Sequence, residues 1–257
     1  MRRAIPWFGL LLLAISFVWF VQLSAPPPPP TAQQKPAARG EQPLVVVLDP
    51  GHGGQDSGAI CGTVLEKDLT LDVALRAELL LRASGFTTVL TRDDDRYISL
   101  AERASFGNRP HDSLFVSIHF NDDARPTASG VETYYAQRQS TAPGFFSWLP
   151  FLQRAEIAPL TEKSESLASF IQAALVERTR AVTRGIKPEQ FYVLANVRHP
   201  AALVEGGFIT NKSDVTKLAT ADYRQEIASS ISDGVHRYRE AIRAGKPRLT
   251  LAAVRAE

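Results

Sequence analysis

Apolar residues along this chain occur in short continuous runs that are separated by segments with helical spacing. The first run, residues 44–48, is continuously apolar and rich in valine, as in a strand that is covered on both faces. Similar runs predict five further strands, at residues 86–90, 114–118, 131–135, 191–194 and 202–204.

Helical periodicity fills the intervals between these runs. Residues 66–83 form the first predicted helix, in which leucines recur at one-turn spacing, at Leu71, Leu75 and Leu79. Ser99 and Glu102 make the capping-box pattern that opens a short second helix. Two later apolar stripes have helical spacing: Leu167, Phe170, Ile171, Ala174 and Leu175, then Ile227, Ile231, Val235, Tyr238 and Ile242. The alternation predicts one α/β domain over residues 43–245, with a largely parallel sheet flanked by helices.

The segment before this domain has two parts. Residues 1–25 begin with a basic end and continue as an uncharged apolar stretch, close to the roughly 20 residues that span a bilayer. We interpret it as an uncleaved membrane anchor with its basic end in the cytoplasm; a cleaved secretory signal is the alternative. Residues 26–42 open with five prolines and predict a semi-rigid linker. With either interpretation of residues 1–25, the rest of the chain is exported from the cytoplasm.

Two other segments do not fit the alternation. Residues 137–161 are rich in aromatic side chains, contain two prolines, and have neither strand nor helix periodicity. An insertion of this kind forms a lid or the wall of a binding site, or packs irregularly on the core. Residues 246–257 are expected to be a loose tail.

Composition narrows the class of partner. Lysine and arginine total 29 against 27 acidic residues, without a long basic stripe, so nucleic acid is not an implied partner. Cys61 is the only cysteine, which excludes an intramolecular disulfide. It lies between Gly58 and Gly62 and is interpreted as a small loop residue, with the role of a metal ligand as the alternative.

Four residues next to apolar runs carry the candidate chemistry: His52, Glu66, His119 and Glu205. Two imidazoles and one carboxylate make a zinc shell of catalytic type, which leaves a position open for water. His52, His119 and Glu205 all come at the carboxyl ends of predicted strands, the edge at which open α/β sheets bind ligands. We predict that His52, Glu66 and His119 bind Zn²⁺ and that Glu205 is the catalytic residue that moves the water's proton.

Each of these residues also has a structural interpretation. His52 fits a plain tight turn, and His119 fits a packing role. Glu66 completes a capping box with Thr63, and this is the better interpretation of the local pattern alone. Glu205 could form an ion pair with an arginine such as Arg198. His199 is a candidate substitute ligand or transition-state donor.

The same stretches, taken together, resemble the zinc-dependent N-acetylmuramoyl-L-alanine amidases of bacterial cell-wall turnover, the amidase 3 family. The resemblance covers about residues 43–245. The matching blocks are Asp-Pro-Gly-His-Gly-Gly (49–54), Glu-Lys-Asp (66–68), Leu-Thr-Arg-Asp (90–93), Leu-Ala-Glu-Arg (100–103), Phe-Val-Ser-Ile-His-Phe-Asn (115–121), Ser-Gly-Val-Glu (129–132) and Val-Glu-Gly-Gly-Phe-Ile-Thr-Asn (204–211).

The resemblance implies a central six-stranded sheet, zinc held by His52, Glu66 and His119, and a catalytic Glu205. It also implies that residues 137–161 could regulate access, because some relatives carry an inhibitory helix there. Phe120 departs from the pattern, since a small residue is expected between His119 and Asn121, and a phenylalanine could narrow the site.

The resulting hypothesis is a peptidoglycan hydrolase of the cell envelope, anchored outside the cytoplasmic membrane. It would cleave the amide bond between N-acetylmuramic acid and L-alanine, and an activator protein is a further candidate partner. Two alternatives remain: a catalytically silent peptidoglycan-binding or regulatory module on the same fold, and a zinc peptidase that cuts within the stem peptide.

Overall fold

The computed structural model describes residues 44–140 and 150–245, with the side chains of residues 150–158 excepted. Eight strands lie in this part of the chain: β1 Val45–Pro50, β2 Ile60–Cys61, β3 Val64–Leu65, β4 Thr87–Leu90, β5 Ser113–Asn121, β6 Val131–Tyr135, β7 Thr183–Pro188 and β8 Ala201–Phe208. The helices are α1 Glu66–Ala83, α2 Leu100–Asn108, α3 Pro150–Thr179, α4 Tyr192–Ala195, α5 Lys212–Leu218 and α6 Ala221–Arg243.

Six of the strands form one sheet in the order β4-β1-β5-β8-β6-β7, and β2 and β3 form a small hairpin. Strands β4, β1, β5 and β8 are parallel neighbours, β6 runs antiparallel to β8, and β7 is parallel to β6. The predicted α/β domain with a largely parallel six-stranded sheet is therefore confirmed. The parallel central strands end at a common edge of the sheet, so the residues at their carboxyl ends lie close together.

Helices cover both faces of the sheet, and β1 shows why its sequence is apolar throughout. Val46 and Leu48 pack into a core cluster shared with α1, α3 and α6, whereas Val47 packs into a second cluster with α2 and α4. Side chains of successive strand residues point to opposite faces, so a strand covered on both sides must be apolar at every position.

Helix α1 has the predicted bounds but buries a different face. Leu75 and Leu79 are exposed, and the buried face instead carries Leu69, Val73, Ala77 and Leu81. Both sets have four-residue spacing, so spacing alone did not show which set meets the sheet. The predicted stripes of α3 and α6 are buried, apart from Ile242 at the end of α6.

One predicted strand is wrong. Residues 191–194 contribute to the helical turn α4, where Ala195 N donates to Phe191 O, and this turn places Val193 and Leu194 in the second core cluster. The sixth strand is instead β7, at the edge of the sheet. Its residues, Thr-Arg-Gly-Ile-Lys-Pro, include two cations, a glycine and a proline, so they form no apolar run. Charged side chains and proline are typical of edge strands, which must avoid pairing with other chains.

The predicted irregular segment at residues 137–161 is helical from Pro150 onward, which corrects that prediction. Proline is well suited to the first turn of a helix because it lacks only an N–H that would have no intrahelical partner. Residues 141–149, the predicted anchor, the linker and the tail lie outside the described residues. Within the described ranges, no helix combines the length and the apolar character that crossing a bilayer requires.

Candidate metal centre and active site

The three predicted ligands meet at the edge of the sheet where β1 and β5 end. One donor atom from each of His52, Glu66 and His119 lies within 4.8 Å of the others. Glu66 Oε1 is 3.0 Å from His52 Nε2 and 3.0 Å from His119 Nδ1. The two imidazole rings stand nearly perpendicular, with their centroids 4.9 Å apart. Residues far apart in the sequence thus present three donors to one point.

Glu66 is positioned by the start of α1. Its backbone N donates to Ala59 O at 3.0 Å, so the preceding loop satisfies an N–H that the helix leaves free. Its carboxylate accepts from Ala59 N at 2.9 Å and from Phe120 N at 3.1 Å. The capping-box interpretation is wrong, because the N-cap residue of α1 is Leu65, not Thr63, and no side chain forms a capping hydrogen bond there. The Glu66 carboxylate therefore faces the histidines.

The backbone of His52 adopts an uncommon conformation, with φ of 60° in the left-handed region. Two buried arginines hold the loop. Arg103 donates to His52 O and Pro50 O, each at 2.6 Å, and forms a buried ion pair with Asp49 at 2.8 Å. Arg92 donates to Pro50 O at 3.1 Å and to Gly51 O at 2.7 Å. These bonds stabilise a backbone conformation that a non-glycine residue rarely adopts.

Asp56 fixes the orientation of the His52 ring. Its Oδ2 lies 2.9 Å from His52 Nδ1, which leaves Nε2 directed at Glu66. A carboxylate on the distal nitrogen of a metal-binding histidine sets the tautomer and raises the basicity of the ligand. Although burial lowers the pKa of His52, its contacts with Glu66 and Asp56 outweigh this effect and raise it.

His119 stands directly over Gly51. A Cβ at position 51 would lie 2.2 Å from His119 Cε1, so only glycine leaves room for the ring. The next residue, Phe120, is 2% exposed and belongs to the core cluster between the sheet and α1. The expectation that Phe120 narrows the site is therefore wrong, since strand alternation turns its ring into the core while His119 points to the site.

The donor set fits a zinc ion. Ligand atoms around a tetrahedral zinc with bonds of about 2.0 Å are about 3.3 Å apart, close to the observed contacts with Glu66 Oε1. Burial alone would raise the pKa of Glu66, but hydrogen bonds from His119 and His52 outweigh it and hold this pKa well below its usual value. The site therefore offers an ionised carboxylate and two imidazoles, as zinc requires.

Glu205 lies beside this cluster on β8, in register with His119 on β5. Its Oε2 is buried and has no hydrogen-bond partner. Burial, and then the negative charges of Glu66 and Glu132, raise the pKa of Glu205. The alternative of an ion pair with Arg198 does not hold among the described residues. An uncompensated buried carboxylate next to a possible metal is a candidate proton acceptor.

Glu132 on β6 is a fifth polar residue of the site that the sequence did not single out. It is 2% exposed and lies opposite Glu205 in the antiparallel register. Its carboxylate accepts from Asn121, Tyr134, Arg184 and Lys187. Like Arg92 and Arg103, Glu132 lies in a block that carries the family resemblance. This resemblance was the only feature of the sequence that could have indicated these three residues as part of the site.

The remaining candidates lie outside the cluster. His199 is partly buried, and burial lowers its pKa. Among the described residues, no three-ligand group includes His199 or Cys61, which is exposed in the β2–β3 hairpin.

Known proteins share both the sequence and the fold. The profile of the N-acetylmuramoyl-L-alanine amidase family matches residues 46–237. The amidase LytC of Bacillus subtilis is 38% identical over 193 residues, covering 75% of this chain and 35% of LytC. An amidase from Clostridium difficile 630 superposes with a TM-score of 0.66 at 33% identity, covering 77% of this chain and 98% of that one.

A further solved structure, the CwlD amidase of Clostridioides difficile in complex with the GerS lipoprotein, has a TM-score of 0.66 and 26% identity. It covers 77% of this chain and 99% of CwlD. The family profile extends over most of this chain, from β1 into α6, and so includes every residue of the cluster described above. The chain belongs to the N-acetylmuramoyl-L-alanine amidase family.

Proposed function

We propose that this chain is a peptidoglycan amidase that hydrolyses the bond between N-acetylmuramic acid and L-alanine with a zinc-activated water. The observation that supports this most directly is the convergence of His52, Glu66 and His119 beside the unpaired carboxylate of Glu205. Family membership supplies the substrate class. His52 Nε2, Glu66 Oε1 and His119 Nδ1 are the atoms that would hold the ion.

Zinc bound by these residues would supply a Lewis acid for the scissile carbonyl and would lower the pKa of a bound water. Glu205 would then take the proton of this water and deliver it to the nitrogen of the leaving L-alanine. Burial raises the pKa of Glu205, and a carboxylate with a raised pKa is a stronger base for the proton of the water. The register pairing of Glu205 with His119 supports this role, because neighbouring parallel strands are about 4.8 Å apart.

The substrate requires a location outside the cytoplasmic membrane, which agrees with the name of a 31% identical relative from Staphylococcus epidermidis, the probable cell wall amidase LytH. In our proposal, residues 1–25 anchor the chain in the membrane and residues 26–42 hold the catalytic domain away from it. The complex of CwlD with a lipoprotein supports a protein partner for this chain as well. Residues 137–161 are the segment that such a partner could act on.

Product analysis of a digest of purified sacculi, with and without a chelator, tests the proposal. We expect new amino termini of L-alanine and their loss when zinc is chelated. A later residue at the new terminus would instead identify a zinc peptidase that cuts within the stem peptide. Zinc binding without any product would identify a catalytically silent wall-binding module.

A further inference from the structure

Two cations of the edge strand β7 reach the same carboxylate. Arg184 Nε lies 2.8 Å and Lys187 Nζ 2.5 Å from Glu132 Oε2. Arg184 also stacks over the ring of Phe208, with its guanidinium carbon 4.8 Å from the ring centroid. Both cations are partly exposed, at 28% and 38% of their side chains, whereas Glu132 is 2% exposed. The pair therefore forms the solvent-facing side of this ion cluster.

A β-bulge brings the two cations to one face of the sheet. In a regular strand, residues three apart point to opposite faces. Here Val131 pairs with Thr183 and Thr133 pairs with Ile186, so β7 has one extra residue in this interval. Gly185 accommodates the bulge with φ of 78°. Bulges next to active sites commonly redirect a side chain in this way.

The cluster retains unused hydrogen-bond donors. An ionised carboxylate has about four acceptor positions, and Glu132 uses them for Asn121, Tyr134, Arg184 and Lys187. Within the described part of the chain, Arg184 gives only its Nε to a hydrogen bond and Lys187 only one of its three N–H groups. Two positive charges face the one buried carboxylate of Glu132, and the Asp123 carboxylate, which also interacts with Arg184, is already paired with Arg125. Positive charge therefore remains for an anion.

The position of the pair relative to Glu205 defines which anion fits. Glu132 is the direct cross-strand neighbour of Glu205, and strands are about 5 Å apart, so the cations lie about 5–10 Å from the catalytic carboxylate. One residue of an extended peptide spans about 3.5 Å. A distance of about 5–10 Å therefore corresponds to about one to three residues beyond the scissile amide, so the residue that follows L-alanine lies within reach of the two cations.

We propose that Arg184 and Lys187 form a subsite for a free α-carboxylate on the residue that follows L-alanine in the stem peptide. This subsite rests on the proposed amidase function, which defines the scissile bond. It would select substrates in which this carboxylate is free over those in which it is amidated, because an amide carries no charge for the two cations.

The test compares two soluble N-acetylmuramoyl tripeptides that differ only in whether this α-carboxylate is free or amidated. Their dissociation constants are measured by calorimetry with zinc chelated, so that neither ligand is cleaved, for the unmodified chain and for Arg184→Gln, Lys187→Gln and Lys187→Arg; cleavage is assayed separately with zinc present. Arg82→Gln is the matched control, since it removes one positive charge in the last turn of α1, about 24 Å along the helix from Glu66. Circular dichroism verifies that each variant is folded.

We expect the unmodified chain to bind the free acid about tenfold more tightly or better, as is typical of a hydrogen bond to a charged group. Both glutamine variants should bring this ratio towards one, Lys187→Arg should restore it, and Arg82→Gln should leave it unchanged. Equal affinity of the unmodified chain for the two ligands, or an unchanged ratio in both glutamine variants, would overturn the subsite. Failure to cleave either ligand, with the binding preference intact, would instead count against the amidase proposal alone.

Discussion

Glu132 and Glu205 face each other across the antiparallel strands β6 and β8, yet their environments differ sharply. Glu132 accepts hydrogen bonds from two cations and two neutral donors, whereas Glu205 Oε2 is buried without a partner. Two nearby carboxylates whose surroundings shift their pKa values in opposite directions commonly have different roles. In our proposal, Glu132 organises the site and Glu205 exchanges the proton.

Replacing Glu205 by glutamine should abolish hydrolysis but spare the metal. The isosteric amide cannot accept the water's proton, so we expect the rate of stem-peptide release from sacculi to fall at least about 100-fold. Zinc content, measured by atomic emission, should equal that of the unmodified chain. Glu189→Gln, at an exposed position, is the matched control. A Glu205→Gln protein that retains its rate would remove this residue from the mechanism.

Replacing His119 by alanine should remove the metal site. Two of the three donors would remain, and we expect the purified chain to lose its bound zinc on dialysis along with its stabilisation by zinc against thermal unfolding. His236→Ala removes a histidine that is exposed on α6 and should change neither property. If both variants bind zinc equally, the three residues are not its ligands.

Replacing Asp56 by alanine should weaken metal binding without removing a ligand. The His52 ring would lose the carboxylate that orients it, and such changes typically reduce metal affinity about 10–100-fold. Chelator competition measures this change, and excess zinc should restore most of the activity. Asp93→Ala, in an exposed ion pair with Arg96, provides the comparison. Unaltered affinity in the Asp56 variant would show that its contact with His52 has no effect on the metal.

Replacing Arg103 by methionine should destabilise the fold. Asp49 would remain buried without its cation, which typically costs about 3–5 kcal/mol in the free energy of unfolding. Urea unfolding monitored by circular dichroism measures the change. Arg96→Met breaks exposed ion pairs with Asp93 and Asp94 and should cost less than about 1 kcal/mol. Similar losses in the two variants would contradict the structural importance of the buried pair.

The contribution of Glu132 to stability should depend on pH. Burial would raise the pKa of Glu132, but Lys187, Tyr134 and Arg184 outweigh it and lower this pKa below its ordinary value of 4.5. A carboxylate with a lowered pKa stabilises the fold above its unfolded pKa, and this stabilisation is lost as the pH falls through the folded value. The stability difference between the unmodified chain and Glu132→Gln should therefore be largest near neutrality and shrink below about pH 4.5. A difference that stays constant across this range, or that Glu189→Gln reproduces, would contradict the assignment.

Much of the fold was predictable because the central strands are apolar at every position. The apolar runs at residues 44–48 and 114–118 are typical of strands buried on both faces, and their common direction then placed His52 and His119 at one edge. Strand β7 escaped prediction because an edge strand needs no apolar run, and its two cations pair with Glu132. Residues 191–194 were misassigned because a short apolar run fits a helical turn as well as a strand.

The site was predictable only in part. Local sequence favoured a capping role for Glu66, and only its combination with two histidines indicated a ligand. Asp56 lies four residues after His52, a spacing that carries no distinctive signal. The contacts of Arg103 with Asp49 and His52 join residues about fifty positions apart, so no local pattern could reveal them.

The close approach of the His119 ring to Gly51 means that a residue without a side chain determines the position of a candidate metal ligand. Any larger residue at this position would push the imidazole away from the other two donors while leaving all of them in the chain. Inactive members of this fold could therefore arise with every chemically reactive residue preserved. An inspection limited to histidines and glutamates would mistake such proteins for working hydrolases.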